Sequence, residues 1–326
     1  MSTELLNFAS DNCSGVHPDV LVAIGRANHG AVKAYGDDPY TESANVMFRR
    51  EFGEHSEVFF TFGGTGANVV GIASVARSFE AVFCADCSHI WSDECAAPEK
   101  FFGGKIVPVP SQFGKISVDA IVACMGENRG VHHAKPKVIS ITQPTEWGTL
   151  YRIHEIEALA QFAHSQDMIL HVDGARLSNA AAALGCSLAA TSSDVGVDVL
   201  SFGGTKNGLL GGEALVFINP ACASDAGFIR KQATQLASKM RFISVQFESF
   251  LTDELWRRNA KHANQMATRL MTQAYPQASV FFRSPGGNPG IVKDVEDNDP
   301  GNKKGIYNNG EPVTRCDMSA KKGCGS

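Results

Sequence analysis

Met168-Ile169-Leu170-His171-Val172-Asp173-Gly174-Ala175-Arg176 is the stretch on which the fold of this chain turns. Its first half, Met168 to Val172, is a short apolar run of the kind that forms a buried strand. Its second half breaks into an acid, a glycine and a base. In an open α/β sheet, ligands bind beyond the carboxyl ends of the strands, so an Asp at that point can serve a ligand, for example by holding a protonated ring nitrogen. The plainer alternative makes Asp173 a helix N-cap and Arg176 a surface charge.

The segments on either side repeat the pattern. Downstream, Val199 to Phe202 is a second apolar run, and Ser201-Phe202-Gly203-Gly204-Thr205-Lys206-Asn207-Gly208 leads out of it. A lysine in a Gly-rich, low-charge turn loses its proton readily and becomes a nucleophile, although a solvated loop lysine has the same look. Upstream, Val58 to Phe62 runs into Gly63-Gly64-Thr65-Gly66-Ala67-Asn68 and then a helix expected from Ala67 to Arg77. Glycines at a helix start let backbone N–H groups approach a phosphate. The segment is not a Walker motif, and it does not complete G-x-G-x-x-G because position 69 is Val. Taken alone it is equally a tight turn.

The remaining segments fill in a β-α-β-α rhythm. Strands are expected at Ala81–Ala85, Lys105–Pro108, Lys137–Ile141 and Ala214–Ile218. Helices are expected at Pro18–Arg26, Thr41–Phe52, Ile153–Ser165 and Leu177–Leu184, with a helical region from Asp225 to Tyr275 that includes a long helix from Thr252 to Gln273. This alternation predicts a parallel or mixed sheet with helices on both faces.

Composition narrows the function classes. The chain has 326 residues, 44% of them hydrophobic, which is enough for a sizeable core. Net charge is −5 and the pI is about 6.1, which disfavours a nucleic-acid partner bound through a basic face. No run approaches a membrane span, and the N-terminus has no signal-peptide pattern. Nine cysteines in a core-rich chain are expected to be reduced thiols, so a cytoplasmic location is expected. Cys84, Cys87 and His89 have zinc-like spacing, but no second Cys pair follows, and no metal site is expected. From Arg283 to Ser326 there is no Leu, Phe or Trp, and Gly and Pro make up 12 of the 44 residues. That composition belongs to an atypical, disordered tail.

A phosphate cup, a carboxylate for a pyridinium nitrogen and a Schiff-base lysine, in that order, are the parts needed to hold pyridoxal 5'-phosphate. At this point the sequence resembles the threonine aldolase / β-eliminating lyase family of fold-type-I pyridoxal-phosphate enzymes, in the aspartate aminotransferase-like superfamily. The resemblance is carried by Ser10-Asp11-Asn12, Tyr35-Gly36-Asp37-Asp38, the 63–68 cup, His89, His171 to Arg176, Gly204 to Gly208, and Ser238-Lys239-Met240-Arg241.

The resemblance implies an α/β fold. It has a large PLP-dependent-transferase-like domain with a seven-stranded, mainly parallel sheet, and an incomplete or atypical small C-terminal domain. The expected divisions are 1–250 for the arm and cofactor domain, 251–282 for a connecting helix and the start of the small domain, and 283–326 for the tail. It implies Lys206 as the Schiff-base lysine, Asp173 at the ring nitrogen, Gly64, Thr65 and Thr205 with the cofactor, and His89 stacked on the ring. Arg176 is implied at the ring oxygen or the substrate carboxylate. Ser10, Tyr35 and Arg241 are implied on the substrate side, some of them donated across a dimer interface. The base is sought among His89, His132 and His133. The implied reaction is retro-aldol cleavage of threonine, allo-threonine or another β-hydroxy-α-amino acid by a homodimer or homotetramer with a shared site. A β-eliminating amino-acid lyase is the near alternative, and a catalytically impaired homologue that binds only cofactor or a partner subunit is the more distant one.

Overall fold

The computed structural model describes residues 10–126, 130–274, 307–308 and 311–312. The chain divides into two compact units, Met1–Val292 and Lys293–Ser326. In the second unit Tyr307–Asn308 pairs antiparallel with Glu311–Pro312. The remainder of the expected tail, and the expected start of the small domain beyond Ala274, lie outside the described residues.

The first unit is built on a seven-stranded sheet. Its strands are β1 (Glu57–Thr61), β2 (Glu80–Ala85), β3 (Lys105–Val109), β4 (Lys135–Thr142), β5 (Ile169–Gly174), β6 (Val199–Gly203) and β7 (Glu213–Phe217), in the order β1-β7-β6-β5-β4-β2-β3. From β3 to β6 every pairing is parallel, whereas β7 runs antiparallel to both β6 and β1. The sheet is therefore mainly parallel, as expected. Strand β2 is buried at every position, as a parallel strand covered on both faces must be.

Alternation along β6 shows how the faces divide. Val199 belongs to the apolar cluster under helix α3 (Gly64–Val75), which follows α1 (Pro18–Ala27) and α2 (Pro39–Phe52), and Leu200 and Phe202 belong to the larger cluster on the other face. That larger core stacks Phe48, Phe60, Phe202, Phe247 and Phe250, with neighbouring rings 5.2 to 6.5 Å apart. Each such pair adds about 0.5–1.5 kcal/mol beyond simple burial. Phe48 comes from Pro39–Phe52, a helix started by Asp38, whose carboxylate accepts from Thr41 N–H at 2.9 Å, and by Pro39 at the first helical position. Phe247 and Phe250 come from the helix Arg241–Leu251.

Helix α3 is the exception among the helices. It is buried all round from Ala67 to Ser74, with small residues that let it lie close on the sheet. The long helix expected after residue 251 is Leu255–Ala274, preceded by a short 3-10 turn at Thr252–Glu254. No helix among the described residues is long and apolar enough to cross a membrane.

Candidate active site

Strands β2, β4, β5 and β6 all end on one side of the sheet, and the polar groups of the site gather there. Asp173 lies one residue before the end of β5, in register with Thr142 on β4 and Ser201 on β6. It shares a face with His171 and is 6% exposed. Its Oδ1 accepts from Ala175 N–H at 3.0 Å, and its Oδ2 accepts from Asn68 Nδ2 at 2.9 Å. Asn68 is the polar residue that the buried α3 points at the sheet.

Asn68 joins two carboxylates. Its Nδ2 also donates to Glu94 Oε1 at 2.8 Å, and Glu94 Oε1 lies 2.9 Å from His89 Nδ1. The Glu94 side chain has no exposed surface, while the His89 ring is partly open to solvent. The hydrogen bond to Glu94 raises His89 above the usual imidazole value. Burial acts the other way, the charges of Asp173 and Glu94 raise it further, and Lys206 lowers it. A chain of contacts thus runs from Asp173 through Asn68 and Glu94 to His89.

Glu146 secures His89 from the other side. Its Oε1 accepts from His89 N–H and from the Thr142 hydroxyl, both at 2.8 Å. Burial raises the Glu146 carboxyl despite these bonds. Among the described residues, Asn68 Oδ1, Glu94 Oε2 and Glu146 Oε2 are buried with no hydrogen-bond partner. Three such atoms within one network are unusual in a folded protein, where buried polar atoms are nearly always satisfied.

Beneath Asp173, His171 is held between Ser140 Oγ at 2.8 Å and Ser201 Oγ at 3.1 Å, which ties β4, β5 and β6 together. Burial pushes its imidazole down to about 4, against the pull of Asp173. His171 is therefore neutral at working pH.

Lys206 stands on a 3-10 turn, Thr205–Asn207, just beyond β6. Its charge acts on both His89 and Glu213, which places it within electrostatic range of both. Gly203 lets β6 close against the turn after Asp173, since a Cβ there would meet the Ala175 carbonyl oxygen at 2.1 Å. Thr205 Oγ1 accepts from Gly212 N–H at 3.1 Å. The turn expected to form a phosphate cup is the start of α3. Gly63 is the N-cap and offers no side-chain cap, and a Cβ at Gly63 or Gly64 would meet nothing within 4 Å. The first N–H groups of a helix have no intrahelical acceptors, so this end is suited to an anion.

Arg176 forms a two-pronged pair with Asp11, Nε to Oδ2 at 2.6 Å and Nη2 to Oδ1 at 3.0 Å. Ser10 caps the turn Asp11–Cys13, and that turn packs against the one bearing Lys206. Tyr35 and Arg241 form a separate group. Tyr35 has a left-handed φ of 63°, its N–H donates to Ser238 O at 2.9 Å, and its ring faces the Lys231 ammonium. Arg241 donates to Gly30 O at 3.1 Å.

His132 and His133 are not brought into this cluster. They are exposed and precede β4 at its amino end, while Thr142 and Glu146 lie at its carboxyl end. The reason is directional: a strand following the pair carries the chain across the whole sheet before it reaches the site. The zinc-like spacing does not assemble either. Cys84 is buried in the apolar cluster with Val82 and Ile90, its thiol pushed up to about 12 by burial, while His89 is turned to Glu94.

Sequence reasoning gave Asn68 no role of its own and missed Glu94 and Glu213. Asn68 carried a signal, as the amide inside an otherwise small and apolar helix. Glu94 carried none, because Ser92-Asp93-Glu94 has the look of a surface loop.

The residues from 7 to 288 match the family model described as beta-eliminating lyase. The chain belongs to the beta-eliminating lyase family. Among relatives, it is 44% identical over 271 residues to a low specificity L-threonine aldolase from a Pseudomonas species, covering 83% of this chain and 78% of that one. It is 43% identical over 285 residues to the low specificity L-threonine aldolase of Pseudomonas aeruginosa, covering 86% and 82%. Among solved structures, a threonine aldolase from Leishmania major superposes with a TM-score of 0.77 at 30% identity, covering 82% of this chain and 79% of that one. Aspartate aminotransferase from Thermus thermophilus superposes with a TM-score of 0.62 at 16% identity, covering 81% and 70%, a likeness of fold alone.

Proposed function

We propose that the chain is a pyridoxal 5'-phosphate-dependent aldolase. It cleaves threonine, allo-threonine or another small β-hydroxy-α-amino acid to glycine and an aldehyde. One observation carries this beyond family membership: the Asp173-Asn68-Glu94-His89 network lies at the carboxyl edge of the sheet, within electrostatic range of Lys206. The two Pseudomonas relatives, named low specificity L-threonine aldolases, support the substrate class.

The residues fit the cofactor. The uncapped start of α3 at Gly64 and Thr65 suits its phosphate, and the Asp173 carboxylate suits a protonated ring nitrogen. The Lys206 amine suits its aldehyde, and Thr205 lies beside that lysine. When bound, the cofactor supplies an electron sink for the pair released when Cα–Cβ breaks.

The other tasks fall to side chains. His89, fixed through Nδ1 by Glu94, presents its other ring nitrogen for stacking or proton transfer at the β-hydroxyl. Arg176, oriented by Asp11, takes the substrate carboxylate, with Ser10 beside it. Tyr35 and Arg241 border the substrate side in an assembly of two or four copies. As bases, His132 and His133 could act only on the site of a neighbouring copy, since they precede β4 at its amino end.

The test is Lys206→Ala. The variant folds, lacks the lysine Schiff-base absorption band that the wild type shows with pyridoxal 5'-phosphate, and has no aldol-cleavage activity with L-threonine. Full activity in that variant sinks the assignment.

A further inference from the structure

Glu213 is a deeply buried acid to which the reaction above gives no task. It opens β7, in register with Thr61 on β1 and Gly203 on β6, and is 6% exposed. Its Oε2 accepts from Gly204 N–H at 2.8 Å. The Thr205 hydroxyl is shared between Glu213 and Gly212 O, the latter at 3.3 Å. Gly204 and Thr205 are the two residues that lead into Lys206. The charges facing Glu213 are Lys206 on that turn and Asp173 on β5. Its register neighbours carry none, and Ile243 and Phe247, which line the turn at Gly212 and Gly204, are apolar.

A sheet interior gains nothing in stability from a carboxylate here. Charge is costly to bury, and the carbonyl of a glutamine would serve Gly204 N–H as well. The acid lies where its charge acts on the Lys206 amine. We propose that Glu213 is a positioning residue for Lys206: its carboxylate, tied to Gly204 and Thr205, fixes the turn and supplies the negative charge that faces the lysine. This rests on Lys206 being the cofactor lysine.

Burial pushes the Glu213 carboxyl up to about 7, against its hydrogen bonds to Gly204 and Thr205 and the charge of Lys206. Its folded value thus lies above its value in the unfolded chain. Its protonated form favours folding, and that contribution is lost as pH rises from about 4.5 to about 7. Glu213→Gln removes the charge and keeps the acceptor.

In the apo chain, the Tm of Glu213→Gln relative to wild type is expected to rise across that pH window and to remain higher above it. In the holoenzyme, kcat falls about tenfold or more, the scale of a slightly misplaced reacting group. The affinity for pyridoxal 5'-phosphate falls as well, and the rise of kcat through neutral pH that the ionisation of Glu213 is expected to give the wild type disappears. Glu213→Asp, which keeps the charge, restores part of that rise.

A Glu213→Gln variant with wild-type kcat, pH profile and cofactor affinity overturns the proposal. So does one that loses Tm and activity in parallel at every pH, since that is how a purely structural acid behaves. Lys206→Ala measured alongside separates the two levels. If it is inactive while Glu213→Gln behaves as wild type, the positioning role alone fails. If it is active, the underlying assignment fails.

Discussion

Asp173 and Asp198 are both buried aspartates, one near the end of β5 and one just ahead of its neighbour β6, at opposite edges of the sheet. Asp198 immediately precedes β6, and its bonds are all made within the protein. Its Oδ2 accepts from Leu170 N–H and pairs with His164 Nε2, both at 2.9 Å, and its Oδ1 accepts from Asn219 Nδ2 at 3.0 Å. Its carbonyl takes the N–H groups of Ile218 and Asn219. Asp173 sits in a network that stops at three buried atoms without partners: Asn68 Oδ1, Glu94 Oε2 and Glu146 Oε2. A polar cluster that serves stability completes its hydrogen bonds, whereas one that serves a ligand leaves some unmade.

Matched substitutions test that contrast most directly. Asp198→Asn turns one acceptor into a donor facing existing donors, and it should cost about 2–4 kcal/mol of stability with little effect on turnover per folded molecule. In Asp173→Asn the larger loss should be of turnover. Turning the Asn68 amide to meet the new one would withdraw Nδ2 from Glu94, so the Tm should fall, but by less than in Asp198→Asn, because fewer native bonds are lost, while aldol cleavage falls by about 10²–10³, the scale of a lost electrostatic catalytic group. Denaturant melts and steady-state kinetics on the pair decide it. If Asp173→Asn unfolds the chain as readily as Asp198→Asn, the distinction between the two edges is lost.

A smaller effect comes from the link between Glu94 and His89. The hydrogen bond from Glu94 is the largest cause holding His89 above its ordinary value. For a histidine raised in this way, the stabilising contribution is present below about 6.5 and is lost as pH rises through the folded value. Glu94→Gln should therefore move the His89 imidazole titration, followed by NMR, to lower pH. The alkaline limb of its stability contribution should move down with it. An unmoved titration would show that Glu94 fills space without acting on the ring.

The sequence pattern disclosed the scaffold more fully than the site. The apolar runs at 58–62, 81–85, 137–141 and 199–202 are strands, with ends that differ by at most two residues. Their order and direction were out of reach of periodicity, because β7 pairs with both β6 and β1 through contacts distant in sequence. That Asp173, Lys206 and the glycines of 63–68 lie where strands end was legible, because each breaks an apolar run. Glu94 was not, because its role appears only when the segment after the short helix His89–Ser92 is laid beneath α3. Glu213 was partly hidden as well, as the first residue of an apolar strand whose acid looks like a surface end. Groups that act through other groups leave the weakest trace, since their partners lie on other elements.

His132 and His133 give the smallest expected effect on the fold and the sharpest test of assembly. They lie at the same edge as Asp198, exposed, ahead of β4. The eight residues of β4 span roughly 25 Å at strand rise, which neither side chain can cross to reach Asp173 in its own chain. Replacing both with Ala should leave stability within about 0.5 kcal/mol, as for other exposed positions. As bases they can act only on the site of a second copy. The double variant should then lose turnover, and mixed oligomers with Lys206→Ala chains should recover activity that neither parent has, because some sites pair an intact lysine with intact histidines. Wild-type turnover in the double variant removes both from the mechanism and leaves His89 as the imidazole beside Lys206. Lost turnover without recovery on mixing means that the defect does not cross between copies, and the shared-site reading fails.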